Sequence, residues 1–349
     1  MKNVDSEGSS SLRNTVRTAK REEFAKVPYV HHVPADGRTV FLAPYVDKTD
    51  HKWKVHVPSS RGLAWIFAEP VESCYYAELI ADQAKDIHVE IMDVIARHYS
   101  FDPVLRNALE LLRRLLNCAV VLDKYFIWLS QFRRTKNPML ANLVQTDLEF
   151  LFGNVRTSYD IMQNMLEELW KKTKQPPLKQ GSFRRMVQMT PSNLEQKYGL
   201  PKPMIDYYQS TKDFFLTIRK IRDDIYHYQT APKADLTSII FCDIEGFALS
   251  ERHLFVGLKS YAPDIWPTNK IKPNELVSVL ALMSYIIIKT VQATEGFSQA
   301  LAASIIPLES ISESYRLFLR SPYVPHLLKL DRYLNEQWIE EGVSYSLMS

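Results

Sequence analysis

Residues 204–228 read MIDYYQSTKDFFLTIRKIRDDIYHY, and their spacing decides the fold class. Phe214, Ile218, Ile221, Ile225 and Tyr228 recur every three or four positions, which makes one apolar stripe on an α-helix. The opposite arc carries Lys212, Arg219, Arg222, Asp223, Tyr226 and His227. At about 100° per residue, Arg219, Asp223 and His227 stack one turn apart, with Arg222 and Tyr226 alongside. Ala231-Pro232 then ends the helix, because proline lacks an amide hydrogen and restricts the residue before it.

Working outward, the same periodicity recurs three more times. Asp102-Pro103 opens a helical tract in which Leu105, Leu109, Leu112, Leu116, Ala119 and Val120 through Phe126 keep one apolar stripe. Pro138 opens the next, through Leu143, Leu148, Leu151, Val155, Tyr159, Met162 and Leu166 to Trp170, before KKTKQPP stops it. Pro273-Asn274-Glu275 begins a strongly apolar helix that runs to about Ile305. The chain has only 10 glycines in 349 residues, against a usual share of roughly 7 per cent. No G-x-G-x-x-G, G-x-x-x-x-G-K or G-x-S-x-G string occurs, which excludes the usual dinucleotide, P-loop and nucleophile-elbow signatures. A mainly α-helical bundle of long antiparallel helices is the expectation.

Short β-branched and aromatic runs interrupt the helical pattern in two places. TVFLAPYV, WKVHV and LAWIF, between Thr39 and Phe67, read as a small meander, followed by helical periodicity from Glu72 to Tyr99. TSIIFCDIEGF and HLFVGLK, joined by ALSER, read as a hairpin at about 237–258 inserted between helices. The expected organisation is a flexible tail over 1–24 and a small α/β appendage over 25–100. The helical bundle then covers 101–305, and a helical tail 306–349.

Composition narrows the function classes. Lysine plus arginine (43) against aspartate plus glutamate (40) leaves a charge of only +3, so any nucleic-acid contact must be local. Cys74, Cys118 and Cys242 lie far apart without C-x-x-C spacing, as reduced thiols of a cytoplasmic protein do. The polar first residues lack the apolar core of a signal peptide, and the apolar run 276–288 is too short to span a bilayer. No membrane association is expected.

The string Arg222-Asp223-Asp224-Ile225-Tyr226-His227 resembles the motif of the HEPN superfamily, in which an arginine and a polar residue (Asn, Asp or His) are followed by three residues and a histidine. The resemblance covers about 200 of the 349 residues. It implies a HEPN-like helical bundle with a small N-terminal β-containing appendage and an inserted β-hairpin. It also implies a homodimer whose facing motifs cleave RNA without metal or other cofactor. A toxin or defence effector, with an antitoxin or regulatory protein as partner, is the context implied. Arg222 and His227 would be catalytic and Asp223 supportive.

The residue types suit that chemistry. RNA carries its own nucleophile, the 2′-hydroxyl beside the scissile phosphate. A histidine titrating near neutrality can move the proton, and an arginine can fork onto the phosphate as charge develops. Asp223, one turn before His227, can orient the imidazole. Arg219, Tyr226, Asn154, Arg156, Arg184 and Arg185 are the candidate substrate-binding residues, the last two beside Phe183. Asn154 and Arg156 are expected to face the motif helix.

Blander or competing readings accompany these. Arg219–Asp223 and Lys220–Asp224 pairs with a surface histidine describe an ordinary solvated helix face. Arg133 and Arg134, with Phe132 and Lys136, fit a basic patch with a stacking aromatic, or cations complementing a helix C-terminus. Asp243 and Glu245, two apart on a strand, would share a face as a metal-dependent nuclease requires, or form an acidic edge. His31-His32, His88 and His98 have no ligand spacing and read as solvated histidines. A non-catalytic nucleotide- or protein-binding module is the remaining alternative.

Overall fold

A computed structural model describes residues 102–172, 181–227, 240–243, 245–250, 265–272, 276–304, 316–319 and 324–338. It also gives the backbone of strands at 31–35, 38–42, 45–46, 53–59, 62–67, 75–78 and 87–88. The readings for 1–24, for His98, for the HLFVGLK half of the hairpin and for the chain ends of the tail lie outside the described residues.

The protein is mainly α-helical, with small antiparallel sheets. Helices α1 (Asp102–Thr135) and α2 (Leu140–Lys172) form a long hairpin. The short α3 (Phe183–Val187) and α4 (Pro191–Tyr198) lead into α5 (Lys202–His227). The last long helix, α6 (Val279–Ser304), is followed by α7 (Val324–Leu327) and α8 (Leu330–Glu336). Strand β8 (Ile240–Asp243) pairs antiparallel with β9 (Gly246–Ser250), which in turn pairs with β10 (Leu276–Ser278). The appendage holds the hairpin β1 (His31–Ala35) and β2 (Arg38–Leu42). It also holds a meander of β3 (Tyr45–Val46), β4 (Trp53–Ser59) and β5 (Gly62–Phe67).

Helix α6 lies at the centre, in contact with α1, α2, α5, α8 and β9. Its sequence is apolar all round rather than along one stripe, and Val279 to Met283, Ile286, Ile287, Phe297 and Leu301 are buried. A helix of that composition belongs inside a bundle. Local chemistry sets the ends of the elements. Thr190 accepts from the Asn193 amide, Pro191 takes the first helical position, and Gly199 closes α4 at φ 69°, where a side chain would be strained. Lys136 leaves α1 in the left-handed region, and the Asn137 side chain then accepts from the Met139 amide to start α2. Ser278 caps α6 by accepting from Ala281 while donating to the Gln337 carbonyl at 2.6 Å, which ties the C-terminal segment down.

Three expectations change at long-range pairings. The Glu72–Tyr99 stretch contains β6 (Tyr75–Glu78) and β7 (Ile87–His88), not a continuous helix, because both pair with β11 (Arg316–Leu319) from the C-terminal tail. The inserted hairpin turns between Asp243 and Gly246, which face each other, rather than at ALSER, whose first three residues belong to β9. Apolar residues 276–278 are strand and not the first turn of α6, because β9 hydrogen-bonds to them. Only partners far along the chain make these choices.

Candidate functional site

Helices α2 and α5 pack antiparallel, and three contacts fix their register. The Tyr208 hydroxyl donates to Gln163 Oε1 at 2.6 Å, Tyr207 reaches the Met162 sulfur at 3.5 Å, and the Tyr159 and Phe215 rings lie 5.1 Å apart. Continuing along that seam, Arg156 and Asp160 of α2 approach Arg219 and Arg222 of α5. Ile218 and Ile221 turn into the core, which leaves Arg219 and Arg222 half-buried on the rim. Arg156 Nε stands 3.9 Å from Asp160 Oδ2. Partial burial lifts the Asp160 carboxyl above its usual pKa, against the pull of the Arg156, Arg222 and Arg219 charges. The structure therefore pairs Arg156 loosely with Asp160, on the rim where the charges of Arg219 and Arg222 also reach that carboxyl. Sequence reasoning missed Asp160, although its i,i+4 spacing from Arg156 is the signal for such a pair.

The helix bearing the motif reaches His227, its last residue, and its described side chains run to Arg222. Asp223 thus directly follows the arginine rim, and Tyr226 and His227 lie about one turn beyond it, at the end of the helix. Asn154 does not join it. Its amide donates to the Arg114 carbonyl at 2.6 Å and to Cys118 Sγ at 3.1 Å, so it faces α1. Asn154 and Arg156 are two positions apart, about 200° around a helix, so the two cannot share a face. Arg184 and Arg185 are exposed on α3, but Phe183 between Tyr159, Tyr208 and Phe215 is buried and offers no ring to a base. Phe132 is likewise packed on Phe247, which removes the stacking role from the Arg133-Arg134 patch. Those cations sit in the last turn of α1.

The carboxylate pair takes a different form from the expected strand face. Asp243 ends β8 and accepts the Glu245 amide in the turn. Lys272 Nζ lies 2.7 Å from Asp243 Oδ1 and 2.7 Å from Glu245 Oε2, with the Trp338 ring 4.3 Å away. Partial burial opposes ionisation of Asp243, but Lys272 and the Glu245 amide outweigh it and hold the carboxyl below its usual pKa. A lysine ammonium thus fills the space between the two acids. Among the described residues, no group of three or more His, Cys, Asp or Glu side chains stands where it could hold a metal.

A further cluster had no local sequence signal. His326 Nδ1 lies 3.0 Å from the Tyr333 hydroxyl and Nε2 lies 3.3 Å from Asp123 Oδ1, with the ring stacked on Phe126. Burial lowers the His326 pKa, against the pull of Asp123. These contacts join α7 and α8 to α1. No described helix is long and apolar enough to cross a membrane. Comparison with known protein-family models, with curated proteins and with solved structures finds no match to this chain.

Proposed function

We propose that the protein is a HEPN-like endoribonuclease that cleaves RNA without metal, at the C-terminal end of α5. The observation that carries this reading is the gathering of Arg156, Arg219 and Arg222 beside one half-exposed carboxylate, one turn before His227. RNA cleavage of this type needs a cation for the phosphate and a group that exchanges protons near neutrality, and little else from the protein. Arg222 grips the scissile phosphate and stabilises its developing charge. His227 takes the proton of the 2′-hydroxyl or gives one to the departing 5′-oxygen, while Asp223 orients the ring. Arg219 and Arg156 hold neighbouring phosphates. Two copies of the chain face their α5 ends in a homodimer, and an antitoxin or regulatory protein restrains them in the cytoplasm.

The test is cutting of single-stranded RNA by the full chain in excess chelator. Undiminished cutting in chelator, lost in His227→Ala with the fold intact by circular dichroism, is the expected result. Activity that disappears with chelator, or survives in His227→Ala, removes the reading and leaves a binding module.

A further inference from the structure

Helix α2 and the turn before it keep an uncharged stripe on their outer side. Met139, Leu143, Thr146, Phe150, Gly153 and Thr157 fall within an arc of about 80° at 100° per residue. Met139 is 63% exposed, Leu143 43% and Phe150 47%. The two threonines do not make the stripe polar. Thr146 donates to the Asn142 carbonyl at 3.0 Å and Thr157 to the Gly153 carbonyl at 2.9 Å, so both hydroxyls are turned back onto their own helix. Single exposed apolar residues need no explanation, but a contiguous stripe marks an interaction surface. Gly153 adds a second observation. Among the described residues, nothing beyond its own helix stands within 4 Å of where its Cβ would be, although a glycine weakens the middle of a helix. Nothing described within the chain calls for the missing side chain, whereas a bulky group arriving from outside does.

We propose that this face of α2 is where a second copy of the chain docks, the two α2 helices crossing antiparallel about a two-fold axis between Phe150 and Gly153. Size and charge both select a second copy. The axis lays the Phe150 ring of each copy over Gly153 of the other, so the largest side chain of the stripe meets its one missing side chain. Glu149 and Arg156 lie on one flank of the stripe, seven positions and about 20° apart around the helix. They are about 10 Å apart along the axis, beyond the one-turn spacing at which charges pair on a helix. The same two-fold sets Glu149 of each copy against Arg156 of the other. The stripe is about 27 Å long, and one helix crossing buries less than the roughly 800 Å² per partner of a standard interface. The dimer is therefore weak and forms as concentration rises. The catalytic reading also calls for two copies, but this inference stands without it, because α2 and not the motif carries it.

Sedimentation velocity of the full chain over a concentration series reads the association. A reversible monomer–dimer equilibrium with a dissociation constant on the order of 10 µM is expected. Phe150→Ser and Gly153→Gln each weaken it about 10-fold or more, as loss of a central contact does. At low concentration, where monomer prevails, Gly153→Gln also raises the melting temperature, because a better helix former enters open space. Glu149→Arg or Arg156→Glu alone weakens the dimer about 3- to 10-fold at low salt, and the two together restore it. The proposal is overturned by a chain that stays monomeric throughout, by a dimer that both stripe variants leave intact, or by a double charge swap that restores nothing. A Gly153→Gln chain that melts below its parent also overturns it, because another part of the same chain then covers the stripe. Dimers that cut no RNA end the catalytic reading and keep this one. Monomeric Phe150→Ser that cuts at the parent rate keeps this inference and removes the dimer from the catalytic reading.

Discussion

Around Lys272 one ammonium serves two carboxylates, whereas around Asp160 one carboxylate lies within the field of three arginines. The first cluster is the more enclosed. Lys272 is 21% exposed, lies against Trp338 and makes two hydrogen-bonded ion pairs that join the β8–β9 turn to the segment before β10. The second lies on the rim between α2 and α5, where Arg156 and Asp160 stand 3.9 Å apart with side chains half open to water. Enclosure with matched hydrogen bonds marks a structural joint, since a charge left alone there would be costly. A half-exposed pair with a 3.9 Å separation is instead well screened by water and holds its helices together only weakly. By charge alone the two clusters look alike, and their geometry separates an enclosed joint from an open rim.

That contrast can be broken most decisively by Arg222→Ala. Loss of the charge facing the phosphate lowers the rate of RNA cleavage by about 100-fold or more, the scale typical of a missing transition-state donor, with the melting temperature little changed. A fall below about 3-fold would return Arg222 to the solvated helix face. Lys272→Met works the other way. It leaves Asp243 and Glu245 together without a cation and costs about 2 kcal/mol of stability in urea unfolding, while RNA cleavage per folded molecule is kept. Equal stability of Lys272→Met and the parent would show that the joint adds nothing to the fold.

Acid sharpens the same comparison. Asp243 is held below its usual pKa, so its contribution is complete above the unfolded value near 4 and is lost as pH falls through the folded value. The urea midpoint should fall below about pH 4, and Lys272→Met should be less sensitive there. The smallest effect belongs to Arg156→Ala, whose exposed pair is worth at most about 0.5 kcal/mol in stability. A larger destabilisation would mean that the rim holds α2 to α5 and is not reserved for a ligand.

Much of this was legible in local spacing. The long helices α1, α2 and α5 follow from three- and four-residue apolar repeats, and Pro103, Pro138 and Pro191 stand at helix starts. The nearness of Arg219 and Arg222 is a property of α5 alone. Asn154 was misplaced because a helix face is told from sequence only relative to its own apolar stripe. Its amide is buried against α1, a polar group inside the seam that hydropathy cannot distinguish from one at the rim. Phe132 and Phe183 looked like stacking rings beside arginines, yet each is the apolar member of its turn and is buried for that reason.

Sequence by itself determined the helical class, the approximate extents of α1, α2 and α5, the scarcity of turns needing glycine and the placing of the R-D-x-x-x-H string at the end of an amphipathic helix. These depend on neighbours within a few residues, where periodicity and capping operate. Only the tertiary structure decided that Lys272 sits between Asp243 and Glu245, that His326 docks on Asp123, that β11 joins β6 and β7, and that Arg156 and Asp160 meet the arginines of α5. Each of these pairs residues far apart in the chain. The energy of such a pairing depends on what burial leaves for a charge or a strand edge to bond with, and no local pattern records that.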